Sequence, residues 1–158
     1  MDLRVIKEIE VLPEELSRCQ LKSGDILFTE GGDVDKLGRG TVWRNEIPRC
    51  THQNHIFRAR LFGDSSLPEF VSFIRKSPFG RDYFFSTAHQ TVNLASINIT
   101  HLRAFPIPLP PIKEQHRIID RIGDYFAKSA QIESDVSNAL LALEKTEESI
   151  LIQALRGN

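Results

Sequence analysis

The sequence has few cysteines and no long apolar run. Cys19 and Cys50 are the only cysteines among 158 residues, and their number and separation predict two free thiols without a disulfide framework. No apolar stretch approaches the roughly 18 residues that a membrane-spanning helix needs, and residues 1–8 lack the apolar core of a secretory signal. These absences exclude the disulfide-rich and membrane-spanning classes, and we expect a cytoplasmic protein.

An excess of charge of one sign is also missing, since 20 Lys and Arg residues stand against 21 Asp and Glu residues. The exception is residues 36–60, where six basic residues accompany a single acid, Glu46, for a net charge of +5. A local cluster of this kind is typical of an anion-binding site, although an ordinary solvated face can have the same composition. The basic residues are Lys36, Arg39, Arg44, Arg49, Arg58 and Arg60.

Catalytic motifs are scarce. Cys50, His52 and His55 lie close together, but a closed zinc site needs four ligands and the rest of the chain supplies no paired cluster. A Cys/His nucleophile would also need an orienting group and an oxyanion pocket. We therefore expect no catalytic residues, no metal and no cofactor. A small metal-dependent hydrolase using these three residues ranks as the weakest alternative.

What the sequence does contain is a proline-rich segment followed by a long helical pattern. Four prolines lie within residues 106–111, and because proline is excluded from helix interiors and central strands, they predict a stiff extended strap. The helical pattern then runs over residues 112–156, a helix of roughly 65 Å. Apolar or small residues recur along it at alternating spacings of four and three, which predicts a coiled-coil seam. They are Ile118, Ile122, Tyr125, Ser129, Ile132, Val136, Ala139, Leu143, Thr146 and Ile150.

The residues before the strap predict a small β-rich domain with short helices. The fold class is therefore α+β: a small mixed domain followed by a long C-terminal helix that pairs as a coiled coil. A helix folded back on its own domain remains the alternative for the first three turns. Predicted elements are a helical turn at 13–16, strands at 26–29, 41–43 and 55–61, a helix at 67–75, an aromatic core segment at 80–85 and a polar loop at 86–98.

Side chains in and near the basic cluster have the chemistry needed to read DNA bases. Arginine can bond guanine with two hydrogen bonds, asparagine and glutamine can do so with adenine, and lysine and threonine can contact phosphates. For any single residue the alternative is a role in shaping or capping a turn. The candidate DNA-binding residues are Lys36, Arg39, Arg44, Arg49, Gln53, Asn54, Gln90, Thr91 and Asn93.

Five segments resemble the specificity (S) subunit of type I restriction-modification systems, and together they cover nearly the whole chain from Leu21. The most specific is the strap itself, Pro-Leu-Pro-Pro-x-x-Glu-Gln at residues 108–115, followed by Arg117-Ile118. The others are residues 21–29, the glycine-rich loop ending at Gly38-Arg39, residues 52–56, and the Gln90-Thr91 loop with residues 96–98.

The resemblance implies a non-catalytic DNA-recognition subunit. In that family a target recognition domain reads one half of a split DNA sequence, and a long helix spaces two such domains and docks the modification (methyltransferase) subunits. Here it implies a recognition domain at 1–105, expected to be N-terminally incomplete, a strap at 106–111 and a spacer helix at 112–156. The implied interface residues are Gln115, Arg117, Ile118, Ile122, Tyr125, Ile132, Val136, Leu143 and Ile150.

The implied partners are double-stranded DNA, the modification subunit and, through it, the restriction subunit. Because the chain carries one recognition domain and one spacer helix where the family has two of each, we expect a homodimer or pairing with another specificity subunit. A homodimer implies a palindromic, interrupted target. The alternative function is a coiled-coil adaptor that binds modification subunits without reading DNA.

Overall fold

A computed structural model describes residues 3–4, 6–32, 38, 40–90 and 95–157, with the side chains of residues 89 and 90 also left undescribed. The chain divides into two compact units, residues 1–116 and 117–158. Its elements are α1 (Pro13–Cys19), β1 (Ile26–Thr29), β2 (Gly31–Gly32), β3 (Gly40–Val42), β4 (Ile56–Ala59), α2 (Pro68–Lys76), α3 (Pro78–Thr87), β5 (His89–Gln90), β6 (Ala95–Ser96), α4 (Ile99–Arg103) and α5 (Ile112–Leu155).

The central sheet has β1 in the middle, with β3 and β4 antiparallel on either side. Alternate residues of β1 point to opposite faces of the sheet, and both faces are buried. Ile26 and Phe28 pack with the α2 residue Val71, whereas Leu27 packs with Trp43 on the other face. A strand in the middle of this sheet therefore needs consecutive apolar residues. These residues are the pattern from which β1 was predicted, and its predicted and observed bounds agree.

Residues 86–98 were predicted to form a polar loop, but they contribute β5 and β6 to a second, smaller sheet. Its order is β2-β6-β5, with two paired residues in each strand. Ala95 and Ile97 point into an aromatic core with Phe84 and Phe105, whereas Ser96 between them is exposed. Strands of two residues are too short for a periodic signal, so the sequence pattern could not predict them.

Helices α2 and α3 meet at Ser77, which ends the first and caps the second. Its hydroxyl oxygen accepts a hydrogen bond from the Gly80 N–H, and Pro78 occupies the first turn of α3. Proline is favoured there because its missing N–H has no partner in a first turn. The aromatic segment at 80–85 is therefore helical, with Phe84 buried in the core and Phe85 exposed.

The strap adopts no regular secondary structure, and α5 begins directly after it. The observed bounds of α5 agree with the predicted helix at 112–156, and the α+β fold class is confirmed. Every residue from 123 to 157 is exposed. Among the described residues, no helix combines the length and apolar character needed to cross a membrane.

Candidate nucleic-acid interface

The turn that leads into β4 exposes two of the predicted base-reading residues. The Ile56 N–H donates to the Gln53 carbonyl at 3.1 Å, which closes the turn. Gln53 and Asn54 are both exposed within it. The hydrogen bond that closes the turn joins backbone groups and does not use the two carboxamides. Because both side chains are exposed, a ligand could reach the carboxamides.

Glu30 joins this turn to both sheets, a role that the sequence analysis missed. Its N–H donates to the His55 carbonyl at 3.0 Å, and its carbonyl accepts from the Ile97 N–H at 2.8 Å. Its carboxylate also lies 2.8 Å from His55 Nδ1. The sequence offered one indication of this role, which is the position of Glu30 between the apolar strand β1 and Gly31-Gly32. At this point the chain passes from one sheet to the next.

Arg44 lies at the other end of the central sheet from Gln53 and Asn54. It follows β3, whose last residue Val42 pairs with Ile26, whereas Ile56 pairs with Thr29 at the far end of β1. The structure therefore does not bring all the predicted DNA-binding residues together at one end.

The guanidinium of Arg44 is 3.4 Å from Glu69 Oε1, although 70% of its side chain remains exposed. Its backbone N–H donates to Glu46 Oε2 at 2.9 Å. Arg49 is exposed in the same connection, at a positive φ of 54°. Glu69 thus partly neutralises the basic character of this end of the sheet.

Two of the six basic residues in the cluster point inward. Arg58 Nη1 donates to the Gln20 carbonyl at 3.0 Å, and Arg60 bonds both carboxylate oxygens of Asp25. Burial of the Asp25 carboxylate acts to raise its pKa, but the hydrogen bonds from Arg60 and the Lys22 N–H, with the charges of Arg60 and Arg58, lower the pKa overall. The hydrogen bonds to Asp25 raise the pKa of Arg60. The net charge of residues 36–60 therefore overstates the positive charge that is available to a ligand.

The remaining predicted DNA contacts fall on segments that the structure leaves undescribed. Lys36, Arg39, Thr91 and Asn93 lie outside the described residues, and only the backbone of Gln90 is described. Gly32 and Gln90 both pair with Ala95. The chain therefore leaves β2 and β5 at the same end of the second sheet.

Apart from Gln115, the predicted interface residues of α5 are half-buried or exposed. Ile118 and Ile122 are half-buried, and Arg117 is exposed. The others are all more than half exposed: Tyr125, Ile132, Val136, Leu143 and Ile150. Exposed apolar side chains repeated along a helix are typical of a surface that binds another protein segment.

Gln115 is placed differently from its predicted interface role. Its side chain is completely buried. Its carboxamide accepts from the Leu67 N–H at 2.9 Å and donates to the carbonyls of Ser65 and Pro110 at 2.9 and 2.8 Å. A partner cannot contact this group, and its physical role is to fasten the start of α5 to the strap and to the segment before α2.

The cysteine and histidines considered for metal or nucleophilic chemistry have other environments. Burial raises the pKa of the Cys50 thiol, which favours the unreactive protonated form. His52 Nδ1 lies 3.2 Å from the Gln53 carbonyl, and His55 contacts Glu30. Among the residues that the structure describes, no three His, Cys, Asp or Glu side chains are grouped so that they could hold a metal ion.

Comparison with known proteins gives a family match over residues 10–142, to the type I restriction modification DNA specificity domain. The chain is 31% identical to the EcoKI specificity subunit of Escherichia coli K12, over 99% of this chain and 34% of that protein. It is 29% identical to the StySPI specificity subunit of Salmonella potsdam, over 96% of this chain and 33% of that protein.

The chain thus spans about a third of the length of the curated relatives it matches. Both are named specificity subunits of type I restriction enzymes, which confirms the predicted family. The family match includes residues 10–116 of the first unit and most of α5. The chain belongs to the family of type I restriction-modification DNA specificity domains.

Proposed function

We propose that this protein is a non-catalytic DNA-recognition component of a type I restriction-modification system, acting in the cytoplasm. Residues 1–105 read one half-site of a DNA target, and the helix at 112–156 docks the modification subunit, with the strap at 106–111 between them. The observation that carries the proposal is the family match over residues 10–142, which includes residues of both units.

The first unit offers suitable side chains for DNA. Gln53 and Asn54 are exposed in the turn before β4, and Arg44 and Arg49 are exposed earlier in the connection between β3 and β4. Carboxamides match the hydrogen-bonding edge of adenine, and arginine matches guanine or phosphate. We include Lys36, Arg39, Gln90, Thr91 and Asn93 in the proposed site on the basis of the sequence alone.

The second unit offers an apolar face for protein partners. Ile132, Val136 and Leu143 are more than half exposed and share one helical stripe. A stripe of this length is stabilised when a second helix or a protein surface covers it. The proposed partners are the modification subunit, the restriction subunit through it, and either a second copy of this chain or another specificity subunit.

A second candidate function is an assembly adaptor that binds modification subunits without reading DNA. It is favoured by the inward-pointing Arg58 and Arg60 and by the Glu69 contact of Arg44, which reduce the positive charge available to DNA. The apolar face of α5 fits this function equally well.

Co-purification of the full chain with the modification subunit of its host separates the two functions. The complex is titrated with duplex DNA over a range of salt concentrations, and the methylated sequence is mapped with this chain as the sole specificity component. A preference for one duplex that persists at high salt supports DNA recognition, whereas a stable complex without sequence preference supports the adaptor. An asymmetric bipartite methylation target would rule out a homodimer.

A further inference from the structure

The Glu30–His55 pair lies beside the proposed reading turn and has a geometry that suits base recognition. His55 directly follows Gln53 and Asn54 in the chain. Its side chain is 82% exposed, whereas that of Glu30 is 36% exposed. The pair is therefore accessible from solvent, chiefly through the imidazole.

The contact with Glu30 determines which nitrogen of His55 faces outward. Nδ1 lies 2.8 Å from Glu30 Oε2, and an ionised carboxylate only accepts hydrogen bonds, so Nδ1 carries the proton. Nε2 is then the ring nitrogen that faces away from Glu30. It accepts a hydrogen bond in the neutral imidazole and donates one in the imidazolium.

The backbone around Glu30 holds this pair in place. Its N–H is bonded to His55 and its carbonyl to Ile97, so one residue is tied to the central sheet and to the chain that follows β6. Recognition of a base edge requires such fixed donors and acceptors, because a displaced hydrogen bond loses its discrimination. The ring is thus oriented by one side chain and by two segments of backbone.

The charge of the pair favours a base over a phosphate. An imidazole paired with a carboxylate carries no net positive charge in either of its protonation states, so the pair gives no net attraction to the DNA backbone. Base edges in the major groove present both hydrogen-bond acceptors and amino donors. A ring nitrogen that faces outward can form a hydrogen bond with either kind of group.

We propose that His55 is a specificity-determining residue whose Nε2 forms a hydrogen bond with one base edge in the major groove, and that Glu30 positions its ring. This inference rests on the proposed function, since it requires that the protein reads DNA.

The test uses the full chain in complex with the host modification subunit and a duplex library randomised at internal positions. Bound pools are sequenced for the wild type, His55→Ala and Glu30→Ala. His55 is exposed, so its replacement is expected to leave the fold intact, which thermal melting checks. The matched control is His116→Ala, an exposed histidine on α5.

We expect both variants to lose sequence preference at one and the same base pair and to retain it elsewhere. For His55→Ala, affinity for the duplex selected by the wild type should fall about tenfold, with unchanged affinity for a non-selected duplex. An equal loss on both duplexes would assign His55 to a phosphate and overturn the proposal, as would an unchanged preference. If the wild type itself selects no sequence, the proposed function fails, and that result is distinct from any defect of the variants.

Discussion

Asp25 and Arg60 form a two-bond ion pair at the start of the central strand, with Nε and Nη2 of the arginine 2.6 and 2.7 Å from the two carboxylate oxygens. The carboxylate is completely buried, and its Oδ2 also accepts from the Lys22 N–H at 2.7 Å. Arg60 further donates to the Gln20 carbonyl at 3.3 Å. The pair therefore joins the turn before β1, the end of α1 and the chain after β4.

Replacing Asp25 with Asn should destabilise the first unit. The buried arginine contacts would lose their counter-charge, and such a loss costs about 2 kcal/mol when the arginine is partly solvated. Urea unfolding followed by the fluorescence of the buried Trp43 measures this change. Asp64→Asn, at an exposed carboxylate, is the control and should change stability by less than about 0.5 kcal/mol.

The same pair predicts how stability depends on pH. Because the pKa of Asp25 is lower in the folded protein than its ordinary value of 3.8, its contribution is fully present above 3.8 and is lost as the pH falls through the lower folded value. The unfolding free energy of the wild type should therefore decrease in acid more steeply than that of Asp25→Asn. Parallel curves for the two proteins would contradict this assignment.

Replacing Gln115 with Ala should weaken the attachment of the α5 start. The change leaves the Leu67 N–H and the carbonyls of Ser65 and Pro110 without their bonds. Unpaired buried polar groups of this kind cost about 2–3 kcal/mol in total. Chemical unfolding measures the loss, and Gln131→Ala, at an exposed glutamine of the same helix, should be nearly neutral.

Replacing Arg44 with Ala tests which end of the central sheet faces DNA. If the guanidinium contacts a phosphate, affinity should fall and the slope of log affinity against log salt should decrease by about one. Glu69→Gln should act in the opposite direction, since it removes the acidic neighbour 3.4 Å away. DNA titrations at several salt concentrations check both variants. Unchanged affinity and slope would remove Arg44 from the site.

A charge on the apolar face of α5 should prevent partner binding. Ile132→Asp and Val136→Asp each place a carboxylate where a covering surface would bury it, so co-purification with the modification subunit should be lost. Ser134→Asp introduces the same charge on the other side of the helix. Light scattering with size-exclusion chromatography reports both the complex and any dimer. Equal behaviour of all three variants would contradict a role for this face.

The long helix, the strap and the central strand could be predicted from the sequence because each depends on local chemistry. Proline limits the backbone wherever it occurs, so residues 106–111 had to separate two elements. The spacing of Ile132, Val136 and Leu143 determines a helical stripe without reference to any neighbour. The apolar residues at 26–28 likewise predict a strand from local sequence alone.

The tertiary structure alone decided which polar side chains are available to a ligand. Arg60 and Gln115 belonged to a basic cluster and to a predicted interface, yet each is bonded within the first unit. Their partners, Asp25 and Ser65, are 35 and 50 residues away in sequence. The contact of Glu30 with His55 spans 25 residues. Composition and spacing therefore determined the long helix, the strap and the central strand. Long-range hydrogen bonding determined the surface, because a polar group becomes structural only when folding places a buried partner beside it.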